Sequence, residues 1–237
     1  MYNFLPNFNF SNIDPTATNL LLCPDQYVAY YSPGNTGNEL SQRYYTNINY
    51  VYDMSGNNKC TNKKKNTIAI ILESPHRDEY EYVNGVLLPK GPLCGKWTDF
   101  EKSFHKAIGA SSVAPLLKNK ATYNIAFINA IQYQCSQGRP LWNNIQNRAQ
   151  KNSNVINCWH TGFDADLIHR LTSLNPSIII NLSGKEQKIS CLIEQAVLNA
   201  PFLCAKGKSK QSKYTKGCHP SSWQRQINKN PNVILID

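Results

Sequence analysis

The sequence predicts an α/β protein, a three-layer α/β/α sandwich around a central, mainly parallel sheet. Two observations predict it. Short apolar runs rich in β-branched residues, NTIAIILE (66–73), NIAFINA (124–130) and SIIINLSG (177–184), alternate with longer stretches of helical periodicity. These runs are also apolar at nearly every position instead of every second one, as expected of strands covered on both faces.

The elements follow in chain order. Residues 1–65 are rich in Asn and Tyr and are read as an N-terminal extension packed on the main domain, with a strand or two suggested by alternation in Tyr44–Tyr52. Lys63–Lys65 mark a solvated turn, and the α/β domain spans 66–237. Its first strand is NTIAIILE. TDFEKSFHKAIG (98–109) reads as a helix, with Thr98 as N-cap, Glu101 at the capping-box position and Gly109 near the end. NIAFINA is the second strand. DADLIHRLTSL (164–174) is an amphipathic helix with Asp164 as candidate cap, and SIIINLSG is the third strand. KEQKISCLIEQAVLNA (185–200) is another helix. A basic loop leads to a fourth strand within KYTKGCHPSSW (213–223), and NVILID (232–237) is a terminal strand.

Composition narrows the function classes. Hydrophobic residues make up 41% of the 237 and charged residues 17%, enough for a core and against wholesale disorder. The formal net charge of +10 favours a polyanionic partner such as nucleic acid, against the plainer reading of a solvated basic surface. No apolar run approaches the roughly 20 residues of a membrane span. MYNFLPNFNF lacks a basic region followed by an apolar one, so no secretory signal is expected. The eight cysteines form no C-x-x-C pair, which disfavours a zinc ribbon or an iron–sulfur cluster and favours reduced thiols in the cytoplasm. No metal or other cofactor is expected, and the chain is expected to act as a monomer.

In parallel sheets, ligands bind beyond the carboxyl ends of the strands. Three strands here end in Glu73-Ser74-Pro75, Asn129-Ala130 and Ser183-Gly184, and Cys218-His219-Pro220-Ser221 follows the fourth. One crevice between these ends would gather them all.

The order of these motifs resembles the uracil-DNA glycosylase superfamily, nearest to the branches whose first motif reads G-E-A-P-G. LESPH (72–76) stands in that place, with Asp78 and Glu79 where the branch has an acidic residue. KGPLCG (90–95) is similar to its G-R-P-F-x-G segment, and NAIQYQCSQGRP (129–140) to its N-x-x-K-C-R-P. SIIINLSGKEQ matches its third strand, and HPSSWQR (219–225) its final H-P-[SA]-x-L-L-R. The likeness covers roughly 67–225.

The resemblance implies a monofunctional DNA glycosylase. Breaking an N-glycosidic bond builds positive charge on the sugar and negative charge on the departing base, so a donor must face the base and a carboxylate the sugar. The resemblance implies that His219 stabilises the leaving base. Glu79 or Asp78 would position water or stabilise the cation, and Glu73 would line the pocket or activate water. Ser74, Pro75, Leu93 and Asn129 would bind the base, Asn129 because its amide both donates and accepts. Lys206, Lys208, Lys210, Lys213, Lys216, Ser221 and Arg225 would meet DNA, lysines neutralising phosphates. Trp223 would wedge into the stack vacated by a flipped nucleotide.

Each residue has a plainer reading. Glu73 could cap a helix or pair with Arg77, and Asp78 and Glu79 could form an exposed turn. His219 could be structural, Asn129 could hold its own loop, and Trp223 could pack on the core. His160 and Asp164 have helical spacing but mark a helix start better than a metal site.

The chain departs from the family at Leu93, where an aromatic stacks on the base, and in a first motif without its glycines. Trp97 or Tyr133 could supply the missing aromatic. A remodelled pocket suits uracil or a modified pyrimidine, such as a hypermodified base protecting phage DNA, and hence an antiviral role. The alternatives are a non-catalytic nucleic-acid-binding protein on the same scaffold and a hydrolase of free nucleosides or nucleotides.

Overall fold

In a computed structural model of the chain, the residues described are 23, 25–34, 39–41, 66–75, 79–84, 86–89, 97–117, 121–132, 155–156, 159–184, 188–200, 214–220, 223, 225–226 and 236. The strands are β1 (Gln26–Ser32), β2 (Glu39–Ser41), β3 (Asn66–Leu72), β4 (Tyr80–Val83), β5 (Val86–Pro89), β6 (Tyr123–Asn129), β7 (Ile178–Asn181) and β8 (Tyr214–Lys216). The helices are α1 (Trp97–Gly109), α2 (Asp164–Leu174) and α3 (Lys188–Asn199).

The apolar runs do form the centre of the sheet. Its order is β2-β1-β6-β3-β7-β8. β6, β3, β7 and β8 run parallel, while β1 is antiparallel to β6 and β2 to β1. The architecture is therefore α/β with a mixed, mostly parallel sheet.

Alternation along each strand sends side chains to two separate cores. Ile68, Ile70, Leu72, Ile125, Phe127, Ile178 and Ile180 meet Phe100, Phe104 and Ile108 of α1, together with Trp223 and Ile236. On the opposite face Ala69, Ile71, Ala126, Ile128 and Ile179 meet Leu167 and Leu171 of α2 and Ile189, Ile193 and Val197 of α3. Helices thus cover both faces of the central strands, which is why those strands carry no polar alternation.

Helix boundaries differ slightly from those the sequence predicts. α1 starts at Trp97, one residue before the expected cap Thr98. α2 does begin at Asp164, but as its first helical residue. Phe163 occupies the cap position without a side-chain cap bond, and Asp164 and Asp166 place negative charge in the first turn, where the helix dipole favours it. A kinked turn over Trp159–Phe163 delivers the chain to α2, with Gly162 at φ 118°, a conformation that only glycine adopts readily. Asn175 ends the helix in the left-handed region, its N–H donating to the Leu171 carbonyl.

Two features lie beyond the sequence reading. The N-terminal segment contributes β1 and β2 directly to the sheet. Residues 80–89 form a β4–β5 hairpin with Asn84 at φ 52°, the left-handed geometry that an Asn-Gly hairpin turn requires. The strand expected in 44–52 lies outside the described residues. Of the terminal strand only Ile236 is described, bridged antiparallel to Gly217. No helix among the described residues is long and apolar enough to cross a membrane.

Candidate active site at the carboxyl edge of the sheet

The site is built on one row of backbone pairings. Leu72 of β3 lies opposite Asn129 of β6, and Ile71 opposite Asn181 of β7, which in turn lies opposite Lys216 of β8. The ladder then runs one step past the strands. Ala130 N–H donates to the Leu72 carbonyl at 2.8 Å and Ile131 N–H to that of Glu73 at 3.0 Å. Leu182 N–H donates to the Ile71 carbonyl at 2.8 Å and Gly217 N–H to that of Asn181 at 2.9 Å. Glu73-Ser74, Ala130, Ser183 and Cys218-His219 therefore emerge at one edge of the sheet, each held from behind by paired backbone.

Winding singles out the middle of this edge. From β3 the chain steps to β6 on one side, then returns to place β7 and β8 on the other. The reversal falls between β3 and β7, where parallel α/β sheets open a crevice for ligands beyond the strand ends. Glu73-Ser74 and Ser183-Gly184 flank it, with Gly184 at φ 122°. With strands about 4.8 Å apart, β6 lies one spacing from β3 and β8 lies two, about 10 Å.

The polar groups here are buried. Glu73, Ser74, Glu79 and Asn129 are 5%, 8%, 4% and 3% exposed, and Pro75 is buried beside them. Ser74 Oγ and Asn129 Oδ1 have no hydrogen-bond partner among the described residues. A buried polar atom left unsatisfied costs about 1–3 kcal/mol, so two at adjacent strand tips suit a ligand's polar edge. By strand alternation Asn129 falls on the face of Ile125 and Phe127, the face that α1, Trp223 and the apolar part of Cys218 also cover. His219, half-buried, directly follows Cys218.

Two buried networks fix this edge, and neither was anticipated. At the β6 tip, Arg170 of α2 donates from Nη2 to the carbonyls of Asn129 at 3.1 Å and Ala130 at 3.3 Å. Its Nη1 meets both carboxylate oxygens of Asp25 at 2.8 Å, and its Nε donates to Asp166 at 2.7 Å. Gln132 Nε2 also donates to Asp25, at 3.3 Å, and Cys23 N–H to the Gln132 carbonyl, at 2.8 Å. Burial pushes the Asp25 carboxyl up, against the pull of the Arg170 charge beside it. At the β7 tip, Asn181 Nδ2 donates to Tyr214 OH at 2.9 Å and to the Ser190 carbonyl at 3.2 Å, while its Oδ1 accepts from Ser183 N–H and Oγ. Burial raises the Tyr214 phenol, so it stays protonated. Only the i,i+4 spacing of Asp166 and Arg170 was visible in the sequence; nothing local joins residue 25 to residue 170.

One expected role is corrected. Trp223 is not a wedge: its indole is 0% exposed, stacked on Phe100 with centroids 5.5 Å apart at 22°, and it donates from Nε1 to the Cys218 carbonyl at 2.8 Å. A ring in the core cannot enter a base stack, and the apolar residue that the motif order puts here serves packing. Of the basic residues expected on DNA, Lys216 pairs with Glu194 at 3.1 Å and Arg225 is exposed. Asp78, Leu93, Lys206, Lys208, Lys210, Lys213 and Ser221 lie outside the described residues, as do His76, Arg77 and Tyr133.

Comparison with known proteins adds no relative: no family model, curated protein or solved structure matches the chain.

Proposed function

We propose that the chain is a monofunctional DNA glycosylase of the uracil-DNA glycosylase type, hydrolysing the N-glycosidic bond of a flipped uracil or modified pyrimidine. The observation that carries this reading is the set of buried polar groups at the carboxyl ends of β3 and β6, next to the winding reversal. Glu73 and Ser74 follow β3 and Asn129 ends β6, the neighbouring strand, with His219 beyond β8 on the same edge. The motif order along the chain supports it, as does the net charge of +10 for a polyanionic substrate.

The chemistry assigns complementary tasks. Asn129 and Ser74 read the edge of the extruded base, where burial makes a mismatched donor or acceptor costly. Glu73 or Glu79 holds water and faces the cationic sugar, and Asp78 is the further candidate for that task. His219 donates to the base oxygen as the bond breaks. Pro75 and Leu93 complete the base-binding set, with Leu93 in place of an aromatic leaving room for a substituted ring. The Lys206–Lys216 lysines, Ser221 and Arg225 bind the phosphates. A hypermodified base of phage DNA fits this pocket chemistry, and with it a defensive role for a cytoplasmic monomer.

The test is base release from single- and double-stranded oligonucleotides bearing uracil, hydroxymethylated or glucosylated pyrimidines, read as alkali-labile cleavage. His219→Ala is expected to lose about 10²–10³-fold in rate, and Glu73→Gln about 10²–10⁴-fold, with DNA binding retained. Tight binding without release from any substrate would instead support a non-catalytic binding protein. Turnover confined to free nucleotides would support a small-molecule hydrolase.

A further inference from the structure

Trp223 has no part in the proposed chemistry, yet it sits five residues from Cys218 and bonds back to it. We propose that Trp223 is the positioning residue for His219. This rests on the reading of His219 as the group that meets the departing base.

The backbone around His219 is pinned on both sides. Before it, Gly217 N–H donates to the Asn181 carbonyl at 2.9 Å, and Gly217 bridges to Ile236. The Cys218 carbonyl accepts the Trp223 Nε1–H at 2.8 Å. After it, Pro220 is buried and its ring fixes φ near −65°. His219 is half-buried between buried Gly217 and buried Pro220, so the pinned backbone on either side sets where its imidazole stands.

The indole is itself immobile. It is stacked on Phe100, which packs against Phe104 at 5.0 Å and Phe127 at 5.1 Å. Phe127 lies two residues before Asn129 on the same face of β6. One aromatic cluster therefore backs both the strand carrying Asn129 and the turn carrying His219. A phenylalanine at 223 would keep a ring on Phe100 but could not donate to the Cys218 carbonyl. The choice of tryptophan here is explained by the donor as much as by the volume, since buried indoles find a partner for their N–H.

The experiment is the Trp223→Phe variant, read by the imidazole Cε1–H resonances of the five histidines, with the His219 signal assigned by its loss in His219→Asn. Expected are a shift or broadening of the His219 signal with the other four unchanged, and a base-release kcat about tenfold lower. KM and affinity for abasic-site DNA should stay within about twofold. An unchanged His219 signal in folded Trp223→Phe would overturn the proposal. Should that variant fail to fold, hydrogen exchange of the Trp223 indole N–H in the parent protein decides. Slow exchange is expected, and exchange at the rate of an exposed indole would overturn it. A displaced His219 signal in Trp223→Phe, together with a parent protein that releases no base from any substrate, would leave the positioning intact and refute the glycosylase reading.

Discussion

Replacing Arg170 by methionine tests the buried network behind Asn129. The guanidinium makes the five hydrogen bonds described above: three to carboxylate oxygens of Asp25 and Asp166, and two to the carbonyls of Asn129 and Ala130. Both carboxylate side chains are almost wholly enclosed, at 0% and 4% exposed. Methionine fills much of the volume but leaves two buried acids facing each other without a cation. Breaking a buried pair in this way costs about 3–5 kcal/mol. For a chain of this length that corresponds to a fall in Tm of about 6–20 °C. The pH dependence has a definite sign. Burial already holds the Asp25 pKa above its ordinary value, and Arg170 pulls it down. A raised carboxyl contributes stability below its unfolded pKa and loses it as pH rises through the folded value. Without Arg170 the folded value climbs further, so the variant's deficit is largest near neutral pH and narrows as pH falls toward about 4. Thermal and urea denaturation at several pH values measure this. A loss under about 1 kcal/mol at pH 7, or a deficit that widens on acidification, would refute the reasoning. Exchanging all three residues for apolar ones is expected to recover part of the loss, because no stranded charge remains.

Asn129→Ala should separate function from stability: it removes a buried acceptor that has no partner among the described residues, so urea denaturation should show a change under about 1 kcal/mol, while base release falls at least about 100-fold. Tyr214→Phe deletes the hydroxyl that Asn181 donates to at 2.9 Å, and about 1 kcal/mol of stability should go with it, read by chemical denaturation. Burial holds the His105 pKa below its ordinary 6.5, against the opposing pull of Glu101. A depressed group contributes stability above the unfolded pKa and loses it as pH falls through the folded one. His105→Gln should therefore flatten the decline in Tm below about pH 6.5, and an unchanged acid limb would count against the assignment.

How much of this was readable beforehand depended on how local each cause is. β3, β6 and β7 were legible because a strand covered on both faces must be apolar throughout, and that pattern lies in seven consecutive residues or fewer. The β4–β5 hairpin carried a usable signal, Asn84-Gly85 between apolar residues, and so did QYVAYYS of β1, rich in β-branched and aromatic residues. Trp223 was ambiguous because an aromatic near a basic loop reads alike as core or as a nucleic-acid contact. Stacking on Phe100, more than a hundred residues earlier in the chain, decides for the core.

The sequence by itself determined the α/β class, the polar strand tips at Glu73, Ser74 and Asn129, and the turn at His219, since periodicity and its interruption are written in neighbouring residues. The tertiary structure alone decided that the chain reverses its winding beside Glu73, that β1 closes the sheet against β6, and that Arg170 joins Asp25 to the backbone of Asn129. The physical reason is that burial and ion pairing act between atoms close in space, and the partners of a buried charge are set by how layers stack, which no local window of sequence records.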